Sequence, residues 1–416
     1  MNNRLFLYPA FFLLTFILVS STVYGAGFAL FEHSASAVGT AFSGGAAIAD
    51  EGSTVFFNPA GMSRLEREFQ ATVPVIYPQI QFRNEGSKAA TVIGGADLSG
   101  SDDDSNVPAV PVSLFYVMPV NDSVRLGLGF FVPFGLTTKY DDTWVGRYHG
   151  VKSEIMTFNL NPSFSYKISE LISVGAGFNV QRMDAKLESA VDIGLVCVGQ
   201  LKSVATCDGL GLRSQESDGF VSLDGDSWAY GWNAGFLISL SENTRIGFSY
   251  RSEVDHDLEG TADFRVPAGA SFLTDAGLFI DTDVTAAFRL PDSASISVFH
   301  KYGDLSVMAD LSWMGWSVFD ELRVKYKNTI QPDSVTTEAW EDNFRYSLGI
   351  NYDVNKNLVL RGGVAYDETP VPNANRRTVR VPDNNRTWLT LGAGFQPTEG
   401  IFLDIGYAHL FLKDSK

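Results

Sequence analysis

Val124-Arg125-Leu126-Gly127-Leu128-Gly129-Phe130-Phe131-Val132 is the stretch that decides the fold. Val124, Leu126, Leu128, Phe130 and Val132 occupy every second position, and Arg125, Gly127, Gly129 and Phe131 lie between them. Successive side chains of a strand point to opposite faces, so this is a strand with one apolar and one mostly small or cationic face. The pattern recurs on both sides of it. Ile246, Phe248 and Tyr250 oppose Arg245, Gly247, Ser249 and Arg251. Tyr346, Leu348, Ile350 and Tyr352 oppose Arg345, Ser347, Gly349 and Asn351. Leu358, Leu360, Val364 and Tyr366 oppose Arg361, Gly363 and Asp367, and Leu389, Leu391, Ala393 and Phe395 oppose Thr390, Gly392 and Gly394. Lipid on one side and a lumen on the other impose this two-residue period on a membrane barrel. A soluble β-sandwich also alternates, with shorter strands and more even turns.

The flanking chemistry favours the membrane. Of 416 residues, 45% are hydrophobic, 13% aromatic and only 19% charged, with 39 Gly and 31 Phe. A net charge of −17 argues against nucleic acid as a partner, since phosphate contacts need a basic surface. At the start, Arg4 precedes the apolar run Leu5 to Val19, and Val23-Tyr24-Gly25 supplies the small or branched residues of a cleavage site. This is the form of an export signal cut after Gly25, an uncleaved anchor being the other reading. No later run reaches the roughly 18 apolar residues of a membrane helix, so an exported chain crosses a membrane only as a closed barrel.

Connections alternate in length. Short turns fall at 119–123, 169–170, 241–243, 355–357 and 397–400; longer loops fall at 84–107, 135–152, 192–218, 258–281, 327–338 and 368–386. The short turns are expected on the periplasmic side and the long loops outside. About thirteen candidate strands are visible where an even number is usual, so the count is one short or a closing strand lies beyond Ile401 to Leu412. Residues 26–65 do not alternate: Gly44-Gly45-Ala46-Ala47 and Asn58-Pro59-Ala60 read as a compact, partly helical plug. The expected organisation is a signal peptide at 1–25, a hatch at 26–65 and a transmembrane antiparallel β-barrel of about 14 strands at 66–416. Cys197 and Cys207 lie close together in a polar, Gly-rich stretch. An oxidising compartment favours a disulfide stapling that external loop, two free thiols being the alternative.

Further residues carry a resemblance. Ala26-Gly27-Phe28, Ala47-Ile48-Ala49-Asp50, Asn58-Pro59-Ala60, Val132-Pro133-Phe134-Gly135 and Leu290-Pro291-Asp292 occur in order. So do Trp313-Met314-Gly315-Trp316, Tyr366-Asp367-Glu368-Thr369-Pro370, Val381-Pro382-Asp383 and Gly406-Tyr407-Ala408-His409. Together they resemble the outer-membrane transporters of long-chain fatty acids and aromatic hydrocarbons (FadL/TodX type), over nearly the whole mature chain. The resemblance implies a fourteen-stranded barrel with an N-terminal hatch. It implies capture of an amphipathic ligand by external loops, binding inside, and sideways exit through a gap at a kinked third strand. The implied setting is the outer membrane of a Gram-negative bacterium, with its lipid and lipopolysaccharide as surroundings, and a monomer without a cofactor or metal.

On that reading Phe28 gates the interior site, Asn58, Pro59 and Ala60 plug the gap, and Pro133 and Gly135 mark the lateral opening. Each also has a plainer reading, as hatch anchor, ordinary turn or strand end. Arg125, Arg245, Arg251, Arg345 and Arg361 fall on the lumen face and are candidates to grip a carboxylate head, or simply to pair with acidic neighbours. Competing functions are a general porin, an adhesion barrel and an outer-membrane lipase. The lipase lacks G-x-S-x-G, and His33, His149, His256, His300 and His409 are scattered. The plug argues against an open porin.

Overall fold

The computed structural model describes residues 27–415; the expected signal peptide lies outside them. The wall is a meander of antiparallel strands, each paired with the next. β1 is Glu68–Thr72 and β2 is Ser113–Pro119. β3 is Val124–Phe131 and, past a break, Gly135–Lys139. β4 is Lys152–Lys167, β5 Ile172–Asp192 and β6 Asp218–Ser239. β7 is Thr244–Arg251 with Val254–Arg265, β8 Thr282–Leu290 with Ser293–Tyr302, and β9 Leu305–Met314 with Glu321–Tyr326. β10 is Ser334–Thr337 with Asn343–Asn355, β11 Leu358–Asp367, β12 Arg386–Thr398 and β13 Ile401–Leu412. Pairing runs without interruption from β1 to β13. Among the described residues no pairing joins β1 to β13.

Outward positions are apolar and exposed where lipid would lie: Leu126, Leu128 and Phe130 on β3, Tyr346, Leu348 and Ile350 on β10. Inward positions are buried, as the alternating pattern of β4 from Ser153 to Ser165 illustrates. Several stretches expected as loops are strand. Residues 135–139 resume β3, 258–265 continue β7 and 334–337 open β10. Above the bilayer the outer face need not be apolar, so Asp255, Asp257 and Glu259 disguise a strand whose inner face still alternates His256, Leu258 and Ala262.

Residues 27–65 fill the lumen. Ser34 caps α1 (Ala35–Gly39) by accepting from Ala37 N, and Asn58 caps the 3-10 turn Pro59–Arg64 after α2 (Thr54–Phe57). Neither helix exceeds five residues, too short to be stable alone, so the wall must hold the hatch in shape. Small inward residues allow its backbone to lie on the strands. A Cβ on Gly247 would stand 1.9 Å from the Ala46 carbonyl oxygen, and one on Gly363 2.3 Å from the Thr40 carbonyl carbon.

Candidate ligand path through the lumen

The upper lumen is lined by rings. Phe28 is 2% exposed, with ring centroids of Trp316 at 4.8 Å, Phe288 and Trp340 at 5.9 Å, Phe134 at 6.0 Å and Phe319 at 6.3 Å. Gly27 makes this possible. It has φ +62°, and a Cβ there would be 2.6 Å from the Trp340 ring and 2.8 Å from Trp316. Its N–H donates to Asp383 Oδ2 at 3.1 Å, and Thr369 Oγ1 donates to the same oxygen at 2.6 Å. Trp340 Nε1 donates to Glu338 Oε2 at 3.2 Å. Both acids stand in loops, and burial pushes each of them up to about 7. Above Phe288, Ile155, Leu187, Leu223, Leu258 and Leu322 line an apolar space, and Ile155, Leu258 and Leu322 belong to the same cluster as the cage.

Residues 28–30 also meet the wall. Leu30 N donates to Pro133 O and Gly135 N to Phe28 O, both at 2.9 Å, so Ala29 bridges Phe134 at the break in β3. Pro133 has no N–H, and β4 registers with β3 only up to Phe131 and again from Gly135. Phe134 is held across the break by Thr157, whose hydroxyl oxygen accepts from Phe134 N at 3.0 Å. Pro133 and Gly135 therefore flank a break patched from inside by residues 28–30. Asn58-Pro59-Ala60 lies elsewhere. Asn58 Nδ2 donates to Ala46 O at 2.6 Å and Phe236 O at 3.2 Å, Ala60 O accepts from Ser165 Oγ, and Pro59 lies against Gly175. The motif sits on β4, β5 and β6, while the break is met by residues 28–30.

The arginines hold the hatch. Arg125 Nε donates to Leu65 O, Arg245 to Ala47 O and Ile48 O, Arg251 to Phe56 O, and Arg345 to Ala41 O. Arg245 also lies 4.0 Å over the Phe299 ring, and Arg251 4.7 Å over Phe56. Arg361 pairs with Asp404 at 2.6 Å. Sequence reading missed a ladder of amides beside the hatch. Asn161 Nδ2 donates to Asn179 Oδ1 at 3.0 Å and Asn233 Oδ1 at 2.8 Å, Asn159 Nδ2 to Asn179 Oδ1 at 2.9 Å, and His256 Nε2 lies 3.0 Å from Gln181 Oε1. Inward-facing Asn and Gln on neighbouring strands were the available signal.

Outside, Cys197 and Cys207 are disulfide-bonded and join α3 (Ile193–Leu201) to α4 (Val204–Gly209). The bond lies in an apolar cluster with Leu212, Ala270 and Leu273, the last on α5 (Ser271–Asp275).

Known proteins resemble this chain in sequence and fold. Residues 16–416 match a family model described as "Outer membrane protein transport protein (OMPP1/FadL/TodX)". The chain is 31% identical over 408 residues to the "Long-chain fatty acid transport protein" of Escherichia coli O6:H1, covering 94% of this chain and 88% of that one. It is 32% identical over 412 residues to "Outer membrane protein P1" of Haemophilus influenzae, covering 95% and 88%. A crystal structure of a Pseudomonas aeruginosa FadL homologue superposes with a TM-score of 0.82 at 25% identity, covering 93% of this chain and 92% of that one. The Ralstonia pickettii toluene transporter TbuX shares the fold, with a TM-score of 0.66 at 19% identity over 91% and 93%.

Proposed function

This chain belongs to the OMPP1/FadL/TodX family of outer-membrane transport proteins, and from that premise we propose that it takes up hydrophobic small molecules, long-chain fatty acids first among them, and releases them sideways through the break in β3. The observation that carries this is the double engagement of residues 28–30. Phe28 fills the cage while the backbone beside it hydrogen-bonds Pro133 and Gly135. A ligand that takes the place of Phe28 in the cage also pulls on the patch over the break.

The external apolar cluster around the Cys197–Cys207 bond would capture the ligand, and the apolar space above Phe288 would draw it in. Each CH₂ removed from water contributes about 0.8 kcal/mol, so a long acyl chain binds through its length. Asn58-Pro59-Ala60 anchors the hatch from below and keeps the lumen shut to water while the N-terminal segment moves. No cofactor or catalytic step is needed. The protein works as a monomer surrounded by outer-membrane lipid and lipopolysaccharide.

A second reading changes only the ligand: the cage of Phe28, Trp316 and Trp340 is neutral and aromatic, which also suits monoaromatic hydrocarbons. Uptake of labelled oleate and labelled toluene by cells lacking their own transporter and expressing this chain tests both. Uptake of oleate supports the main reading and toluene alone the second. Uptake of neither, from protein folded in the outer membrane, overturns transport. The gate is tested by cross-linking cysteines at positions 30 and 135, where Leu30 Cδ1 lies 3.0 Å from the Cβ site of Gly135. Oxidised cells should lose uptake and regain it on reduction.

A further inference from the structure

Below the cage, between the hatch and the wall from β6 to β11, lies a second cavity. Its two faces differ in chemistry. Phe31, Phe42, Phe56 and Phe57 present rings from the hatch, and the wall presents Asn233, Arg251, Asp310, Asn343, Arg345 and Asp367.

Four polar atoms on that wall have no hydrogen-bond partner: the donors Asn233 Nδ2 and Arg345 Nε, and the acceptors Asn343 Oδ1 and Asp367 Oδ1. Their residues are only 1–4% exposed. The rest of each side chain is firmly engaged. Asp367 Oδ2 accepts from Arg386, Asn343 Nδ2 donates to Glu368 O, and Asn233 Oδ1 accepts from Asn161. These groups are therefore fixed in place, each with one site left over. Buried polar groups are ordinarily paired, and a cluster left unpaired against a cavity with a ring-lined opposite face is how a site for an amphipath is built.

Donors and acceptors are both unpaired, which selects the head group. A carboxylic acid supplies both: its carbonyl oxygen accepts and its hydroxyl donates. Arg345 and Asp367 are register partners on adjacent strands, so a donor and an acceptor stand side by side for such a head. An ester or a hydrocarbon cannot satisfy both.

We infer that this cavity is a second binding site, for the carboxylic acid form of a long-chain fatty acid, with its head at Arg345, Asp367 and Asn343 and its chain along the hatch phenylalanines. The inference rests on the transport reading and deepens it by assigning a place below the cage where acids are told apart from neutral hydrocarbons. A head bound there touches the same guanidinium that donates to the Ala41 carbonyl of the hatch.

The test is equilibrium binding of radiolabelled dodecanoic acid and of methyl dodecanoate to the full chain in phosphatidylcholine nanodiscs, with empty nanodiscs as the blank. Two molecules of acid and one of ester per chain are expected. Ser295→Trp fills the cavity from β8 and should leave one acid per chain. Arg345→Lys keeps a cation near the hatch but removes Nε, and should weaken the second acid at least about tenfold while the first is unchanged. If the wild-type chain binds one acid and one ester, or Ser295→Trp still binds two acids, the second site is wrong and the cage stands. If neither ligand binds at all, the transport reading fails and the second site fails with it.

Discussion

In the upper lumen the groups that meet are rings: Phe28 stands among Trp316, Trp340, Phe288, Phe134 and Phe319. In the lower lumen they are arginines and glycines, the first donating to hatch carbonyls and the second letting hatch backbone lie on the strands. Ring contacts are non-directional and can be exchanged for another apolar body at little cost. Hydrogen bonds to charged donors are directional and are lost outright when the hatch moves. On the proposed mechanism, the difference separates the part of one small segment that a ligand displaces from the part that stays.

The largest effect should come from disturbing a seat of the fixed part. Gly247→Leu places a side chain where the Ala46 carbonyl lies. Overpacking costs typically about 1–3 kcal/mol where side chains can give, and here backbone must move. The hatch should leave its seat, and planar-bilayer conductance should rise to that of an open channel; an unchanged closed trace would show the two regions to be equally yielding.

Next is the displaceable part. Phe28→Ala spares a ligand the work of expelling a ring whose full burial is worth roughly 1.5–3 kcal/mol. Oleate affinity should therefore rise by about one to two orders of magnitude, read by equilibrium binding. Weaker binding would mean that Phe28 helps to hold ligand instead of competing with it.

Arg245→Met should act on the hatch alone. It removes the donors to Ala47 O and Ile48 O, which are 2.9 Å away, and loses about 2 kcal/mol of local stability. Hydrogen exchange over residues 46–48 should speed up while oleate affinity holds. A matching loss of affinity would erase the distinction between the regions.

The smallest effect is a pH response confined to the cage. Glu338 is 4% exposed and its carboxyl is pushed up to about 7 by burial. A raised folded value means that the folded cage binds the proton more tightly than the unfolded chain, so its contribution is full below the ordinary carboxylate range and is lost as pH rises through about 7. Oleate affinity should fall between pH 6 and 8 in the parent and stay flatter in Glu338→Gln. Equal slopes in both chains would assign the response elsewhere, Asp383 being the other raised group beside the cage.

Much of the wall was legible because lipid leaves a two-residue signature on every strand that crosses it. The signature fades above the bilayer, which is why 135–139 and 258–265 read as loop and are strand. The hatch was legible only as composition. Its small residues announce close packing but not the partners, so Asn58-Pro59-Ala60 could be placed as a turn and not against β4, β5 and β6. The arginines could be placed on the lumen face, since period two fixes faces. What they touch could not, because Arg125, Arg245, Arg251 and Arg345 meet hatch carbonyls between 60 and 304 positions away in the chain, and Arg361 pairs with Asp404.

The sequence by itself determined a barrel, its two faces and a segment of small residues ahead of it, because each is a local pattern set by solvent or by neighbours along the chain; the bond between Cys197 and Cys207, for which the sequence left free thiols open, was decided by the structure. Tertiary structure alone decided that Phe28 fills a cage while residues 28–30 patch the break at Pro133. It also decided that arginines from distant strands converge on one short hatch. Those contacts join residues with no fixed spacing, brought together only when the sheet curls around the segment that precedes it.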